Sequence, residues 1–204
     1  MLAILERFAV AQPHPRCELY YRTPYQLLVS VVLSAQATDK SVNKAMQHIY
    51  DSGFTPVTAL ALGESGILEK IRTIGLAPTK SKNILRLTKI LCEKFGGEVP
   101  RDREALEALP GVGRKTANVV LGEIWSEPTL AVDTHVLRVS ARLGFHQESS
   151  AEKAEKILLQ LVPVSYLPRA HHWLVLHGRY ICTARNPRCD SCLIGDLCPK
   201  VGVV

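Results

Sequence analysis

The chain has 204 residues, of which 47% are hydrophobic and 22% are charged, so a packed globular core is expected. No stretch approaches eighteen uninterrupted apolar residues, and Glu6 and Arg7 interrupt the apolar N-terminal segment, which argues against a membrane span and a secretion signal. The formal net charge of +6 fits a polyanionic partner but does not require one. We therefore expect a soluble cytoplasmic protein whose six cysteines are metal ligands or free thiols.

Short amphipathic helices, separated by Pro, Gly or Asp, account for most of the sequence, and no convincing period-two alternation is present. The predicted fold class is therefore all-α. Three helices have clear start or stop signals: Thr23-Pro24 before a helix over 25–34, Asp39 before a helix to about Tyr50, and Thr79 before a helix that ends at Gly96-Gly97. Pro128 interrupts two helical patterns within 125–129, and a boundary between two lobes is expected there.

A tight turn lies between two helical patterns over 103–109 and 114–125. Pro110 and Gly111 end the first helix, and Gly113 opens the second. The backbone N–H groups of Gly111, Val112 and Gly113 are predicted to bind a phosphate oxygen at the N-terminus of the second helix. The alternative is an αα-hairpin whose glycines serve packing alone.

Lys115 follows this turn. The apolar stripe of its helix is formed by Ala117, Val120, Leu121 and Ile124, and at about 100° per residue Lys115 lies on nearly the opposite face. No acidic residue stands three, four or seven positions further on, so the helix offers no carboxylate partner. Desolvation, the helix N-terminus and Arg114 would each favour the neutral, nucleophilic amine. The alternative is a lysine that only contacts phosphate.

Asp133 is predicted to cap the helix that follows it, with Val132 packing onto Leu137 and Gly144 ending the helix. Capping alone would explain this aspartate. A carboxylate held at a helix start also has a fixed orientation, so it could stabilise positive charge on a substrate and assist proton transfer.

Four cysteines lie close to the C-terminus with six, two and five residues between them: Cys182, Cys189, Cys192 and Cys198. A loop of this length has little core of its own, and a metal centre would order it. Only Cys189 and Cys192 form a C-x2-C pair, so the spacing favours an iron-sulfur cluster, with structural zinc as the alternative. Arg185 and Arg188 concentrate positive charge at this loop and are predicted to contact a polyanion.

These motifs together resemble the bacterial-type endonuclease III family of DNA repair enzymes. The resemblance rests on Leu-Pro-Gly-Val-Gly-Arg-Lys at 109–115, Val-Asp-Thr-His at 132–135 and C-x6-C-x2-C-x5-C at 182–198, and it extends over nearly the whole chain. It implies a six-helix lobe over 17–127 with a helix-hairpin-helix. The second lobe would join 1–16 to 128–204 and carry a [4Fe-4S] cluster on the four cysteines, and a cleft between lobes would bring Lys115 and Asp133 together.

The resemblance also implies the reaction. A monomeric, nucleoid-associated enzyme would extrude an oxidised pyrimidine from duplex DNA, attack the sugar C1′ with Lys115, and cleave the abasic site by β-elimination. Gln36 would fill the space left by the extruded base, and Leu76 would wedge nearby, and Arg185 and Arg188 would contact DNA. As alternatives, Gln36 only caps its helix end and Leu76 belongs to the core.

Two other functions are compatible with some of these motifs. An adenine-specific mismatch glycosylase would share the hairpin and the cluster, but it works through an acidic residue on the early apolar helix, and the segment Leu-Leu-Val-Ser-Val-Val-Leu-Ser at 27–34 has none. A damage-sensing DNA-binding module would use both features for binding only. A lysine nucleophile at position 115 is the feature that distinguishes the predicted enzyme from both of these functions.

Overall fold

The computed structural model describes residues 1–203, and within them the regular structure is helical, with no strand. The predicted all-α class is confirmed. The α-helices are α1 Leu2–Ala11, α2 Pro24–Ser34, α3 Asp39–Asp51, α4 Pro56–Ile71, α5 Ala77–Phe95, α6 Arg103–Glu107, α7 Arg114–Trp125, α8 Thr134–Arg142, α9 Ala151–Leu161 and α10 Leu167–Tyr180. In the described part of the chain, no helix combines the length and the apolar character that a bilayer crossing requires.

The chain divides into two compact units. We call Cys17–Trp125 the hairpin unit, and we call Met1–Arg16 with the described part of Ser126–Val204 the cysteine unit. The boundary between them follows Trp125, two residues before the end of the lobe expected over 17–127.

The hairpin unit is built around α2, in which every residue from Tyr25 to Leu33 is buried. A helix that is apolar on all sides can be stable only if other helices surround it, and α2 contacts α3, α5 and α7. Its buried polar groups are paired: Ser30 Oγ lies 2.8 Å from Tyr50 Oη, and Gln26 Nε2 donates to the Phe54 carbonyl at 3.1 Å. α2 therefore contributes packing, and it carries no carboxylate.

The cysteine unit joins the N-terminal helix to the C-terminal helices. Phe8 of α1 stacks on Trp173 of α10 at 6.2 Å between ring centroids, and Trp173 Nε1 donates to the Gln12 carbonyl at 2.9 Å. The same core includes residues of α8 and α9, and Cys182, Cys192 and Cys198 pack against it. The cysteine loop is thus anchored on a hydrophobic core.

Helix ends follow the predicted signals where those signals are local. Thr23 caps α2 by accepting a hydrogen bond from the Gln26 N–H, with Pro24 in the first turn as expected. At α3 the prediction is one residue off, because Thr38, not Asp39, is the N-cap. α5 begins at Ala77, before the expected Thr79, and its N-cap is Leu76, which has a left-handed conformation.

Candidate functional site

The turn between α6 and α7 depends on Gly111. Its φ of +82° lies in the left-handed region, and a Cβ at this position would stand 3.0 Å from Asn83 Nδ2 and 3.3 Å from Val32 Cγ1. A side chain there would be strained and would also collide with α5 and α2. The predicted helix-hairpin-helix is confirmed, and this glycine seats its turn directly against the buried α2.

The amide groups of the turn differ from the prediction in one respect. The Val112 N–H donates to the Leu109 carbonyl at 3.0 Å and its side chain is buried, so this amide is used within the turn and does not face a ligand. Gly111 and Gly113 are exposed, and their N–H groups have no acceptor among residues 1–203. Of the three amides predicted to bind phosphate, those of Gly111 and Gly113 are therefore without an acceptor in the described chain.

Lys115 lies in the first turn of α7 and is exposed. It forms no ion pair with a described residue, as the absence of a nearby acidic residue predicts. The expected desolvation is not provided by burial, because the helix buries its other face, which includes Asn118 and Val119 as well as the predicted stripe.

Asp133 caps α8, as predicted. Its Oδ1 accepts the Val136 N–H at 2.8 Å, and Val132 beside it is buried. One carboxylate oxygen is therefore held by the cap, and no hydrogen bond with a described residue engages Oδ2. Lys115 lies in the hairpin unit and Asp133 in the cysteine unit.

Gln36 and Leu76 lie in neighbouring segments of the hairpin unit. Both are exposed, Leu76 at 56%, and both have left-handed backbones, with φ of +55° and +60°. A Cβ on Gly75, next to Leu76, would stand 3.7 Å from the Gln36 carbonyl oxygen, which places the two segments against each other. The alternative in which Leu76 belongs to the core is wrong, and Gln36 follows the C-cap residue of α2 with its side chain in solvent.

The four cysteine side chains of the C-terminal loop line one pocket. Within residues 1–203, however, no three His, Cys, Asp or Glu side chains form a group that could hold a metal ion. A zinc ion binds thiolates at about 2.3 Å and needs its ligands to converge on one point, whereas a polynuclear cluster holds its cysteines further apart. Four cysteines that line one pocket provide the set of thiolate donors that an iron-sulfur cluster takes.

Two hydrogen-bond donors and one histidine lie beside three of these thiols. The Lys200 N–H donates to Cys198 Sγ at 3.3 Å, and Arg142 Nη1 lies 3.4 Å from Cys182 Sγ. His177 Nε2 lies 3.5 Å from Cys192 Sγ, and burial lowers the pKa of His177 to about 4. Burial also raises the pKa of the Cys192 thiol. Donors of this kind stabilise thiolate charge, as a metal centre requires.

Helices of the cysteine unit hold the loop in place. Arg142 of α8 donates to the Thr183 carbonyl at 2.7 Å and to the Ala184 carbonyl at 2.9 Å. Arg7 of α1 donates to the Leu193 carbonyl at 3.0 Å and forms an ion pair with Asp196. Sequence reasoning missed these arginines, because their acceptors lie about forty or more residues away and are mostly backbone carbonyls. Arg185 and Arg188 themselves are exposed on the loop.

Comparison with known proteins places this site in a family. Residues 29–164 match the HhH-GPD superfamily of base excision DNA repair proteins, and residues 182–198 match the iron-sulfur binding domain of endonuclease III. Endonuclease III of Escherichia coli strain K12 is 53% identical over 97% of this chain and 93% of its own. That of Haemophilus influenzae is 52% identical over the same shares. A solved structure of a trapped endonuclease III–DNA covalent intermediate has a TM-score of 0.90 and 44% identity, covering 98% of this chain and 94% of that one.

The class defined by fold and site is the helix-hairpin-helix DNA glycosylase. The chain belongs to the endonuclease III family. It is a base excision DNA repair enzyme, a glycosylase with abasic-site lyase activity, and it carries a [4Fe-4S] cluster.

Replacement of Gly111 by alanine tests the turn. Gly111→Ala adds left-handed strain and a clash with Asn83 and Val32, and we expect the free energy of unfolding to fall by about 2–4 kcal/mol in urea titrations. Gly113→Ala is the matched control, because nothing lies within 4 Å of its Cβ position and its φ is not positive. Equal losses in the two variants would contradict this account of the turn.

Proposed function

We propose that this enzyme removes oxidised pyrimidines from duplex DNA and then cleaves the abasic site, with the Lys115 amine as the nucleophile for both steps. The observation that carries the proposal is the setting of Lys115: it is exposed, without an ion pair to a described residue, two residues beyond a glycine whose N–H has no acceptor in the described chain. A phosphate bound at Gly111 and Gly113 would bring the sugar of a neighbouring nucleotide within reach of the amine.

The proposed chemistry begins with attack of the Lys115 nitrogen on C1′ as the bond from C1′ to the base breaks. The base leaves with the electron pair of that bond and takes up a proton, and the sugar ring opens to give a protonated imine on Lys115. Loss of a proton from C2′ then expels the 3′ phosphate, so the strand breaks on the 3′ side. Water finally hydrolyses the imine and restores the free amine.

Asp133 is proposed to act on the same sugar. Its ionised carboxylate would stabilise positive charge at C1′ as the base leaves, and it would accept and return protons during ring opening. The capping bond from the Val136 N–H supports this role, because it fixes one oxygen and leaves the other without a hydrogen bond to a described residue.

Binding of duplex DNA is proposed to use both the backbone and side chains. The Gly111 and Gly113 N–H groups and the side chains of Arg185 and Arg188 would contact phosphates. Gln36 would occupy the space left by the extruded base, and Leu76 would wedge between neighbouring bases. Support comes from the exposure of both side chains and the contact between their segments. Since Val112 uses its N–H within the turn, it would contribute only packing.

Three further proposals concern organisation. The lobes expected over 17–127 and over 1–16 with 128–204 would be the functional halves of the enzyme, and Lys115 and Asp133 would meet at one substrate. Cys182, Cys189, Cys192 and Cys198 would ligate the [4Fe-4S] cluster, which when bound supplies four metal–thiolate bonds that order the loop. The enzyme would work as a monomer in the cytoplasm, at the nucleoid, where its substrate lies.

Borohydride trapping tests the nucleophile. On a duplex containing thymine glycol or an abasic site, wild-type protein should yield a covalent adduct, and Lys115→Ala should reduce that yield by about three orders of magnitude or more, because no amine remains to form the imine. Lys82→Ala, which removes an exposed lysine of α5, is the control and should trap normally. Full-yield trapping by Lys115→Ala would refute the assignment, and no trapping by wild type would favour a binding-only module.

Two substitutions at Asp133 separate catalysis from capping. Asn is as good an N-cap as Asp, so Asp133→Asn should leave the unfolding midpoint nearly unchanged while single-turnover base removal slows by about 10²-fold or more. Asp133→Ala should lose activity and also about 1 kcal/mol of stability. An active Asp133→Asn variant would show that this residue serves only the helix.

Arg142 is expected to govern retention of the cluster. Arg142→Met removes the donor to Cys182 Sγ and to two loop carbonyls, and at about 1.5 kcal/mol for a charge-assisted bond, iron release to a chelator should accelerate at least about tenfold. The matched control is Arg185→Met on the same loop, whose iron release should equal that of wild type. Iron release is followed by the loss of the cluster absorbance. Equal release rates in the two variants would contradict the prediction.

A further inference from the structure

Lys80 of α5 is a buried lysine. Its side chain is 4% exposed, and it forms no ion pair with any carboxylate of residues 1–203. Burial lowers its pKa. Burial of an ammonium group without a carboxylate partner is unfavourable. The hydrogen bonds of this group must therefore make a contribution that an apolar side chain could not make.

The ammonium group of Lys80 binds the end of α2. Nζ donates to the Leu33 carbonyl oxygen at 2.9 Å, and Leu33 is the last residue but one of that helix. The final carbonyls of a helix lack partners within it and carry its negative dipole end, so a cation is the favoured donor there. Lys80 thus fixes α2 where the chain leaves the helix, three residues before Gln36.

The main chain of Lys80 binds the second segment. Its N–H donates to the Leu76 carbonyl oxygen at 3.0 Å, which closes the first turn of α5 behind the left-handed Leu76. Left-handed backbones at non-glycine residues cost about 1–2 kcal/mol and need surrounding structure to hold them. One residue therefore connects the two strained positions, through its side chain to the Gln36 segment and through its backbone to Leu76.

We propose that Lys80 is a positioning residue for base extrusion, which sets the Gln36 segment against Leu76 so that both side chains enter the DNA together. This inference rests on the proposed roles of Gln36 and Leu76, and it is separate from the chemistry of Lys115. Lys80 touches neither the sugar nor the base. Its loss therefore affects a substrate whose base must be extruded, and spares a substrate from which the base has already gone.

The test compares two substrates under single-turnover conditions. Lys80→Met keeps the length and apolar stem of the side chain but removes the ammonium group. We expect base removal from a thymine glycol duplex to slow by about ten- to a hundredfold, and borohydride trapping on a single-stranded abasic oligonucleotide to change less than about threefold. Lys89→Met is the matched control, since Lys89 is an exposed lysine nine residues further along α5, and both of its rates should equal wild type.

A double mutant shows whether Lys80 acts through Gln36. If it does, Lys80→Met combined with Gln36→Ala should be no slower on the thymine glycol duplex than the slower single variant, because both remove the same function. Multiplicative losses, or unchanged base removal in Lys80→Met, would overturn the proposal. So would equal losses on the two substrates, which indicate a general effect on folding.

If Lys80→Met is unfolded at the assay temperature, Lys80→Gln is assayed in its place, because its amide can still donate to the Leu33 carbonyl. The same selective loss, smaller in size, supports positioning, and a loss shared by both substrates contradicts it. Failure of the proposed function has a different signature, because Lys115→Ala would then trap normally on the abasic oligonucleotide whatever stands at position 80.

Discussion

The close approach of Gly111 to Asn83 and Val32 is the constraint on which the placement of Lys115, the proposed nucleophile, depends. A Cβ at that point would be strained by the positive φ and would push against Asn83 and Val32, so the turn and the start of α7 would have to shift. Since Lys115 lies in the first turn of α7, the packing of the turn positions the backbone from which its exposed side chain extends. This arrangement keeps the amine exposed to substrate while the helix that carries it is held firmly.

In each unit, helix ends carry residues that we propose act on DNA. Gln36 follows the C-terminus of α2, Leu76 precedes α5, and Asp133 caps α8. Helix termini have backbone N–H and C=O groups without partners in the helix, and they permit the left-handed backbone angles that Gln36 and Leu76 adopt. A small helical fold can in this way present rigidly held groups without long loops.

The features that the sequence predicts well are those with local causes. Thr23 as the cap of α2, the bounds of α7 and the capping role of Asp133 follow from residues within one turn of each other. The features it misses depend on distant contacts. The donation from Lys80 spans 47 positions in sequence and those from Arg142 span 40 to 42, so no local pattern marks either residue. The imine-forming role proposed for Lys115 rests on the resemblance to the endonuclease III family, because an exposed lysine after a glycine turn can serve several functions.

The central claim, that Lys115 forms the imine, is tested most directly by locating the bond in the wild-type protein. After borohydride reduction and digestion with nuclease and trypsin, mass spectrometry should find the sugar remnant on the peptide 115–138, attached to its first residue, with cleavage after Lys115 blocked. A remnant carried instead by the N-terminal peptide, or by any other lysine, would contradict the account.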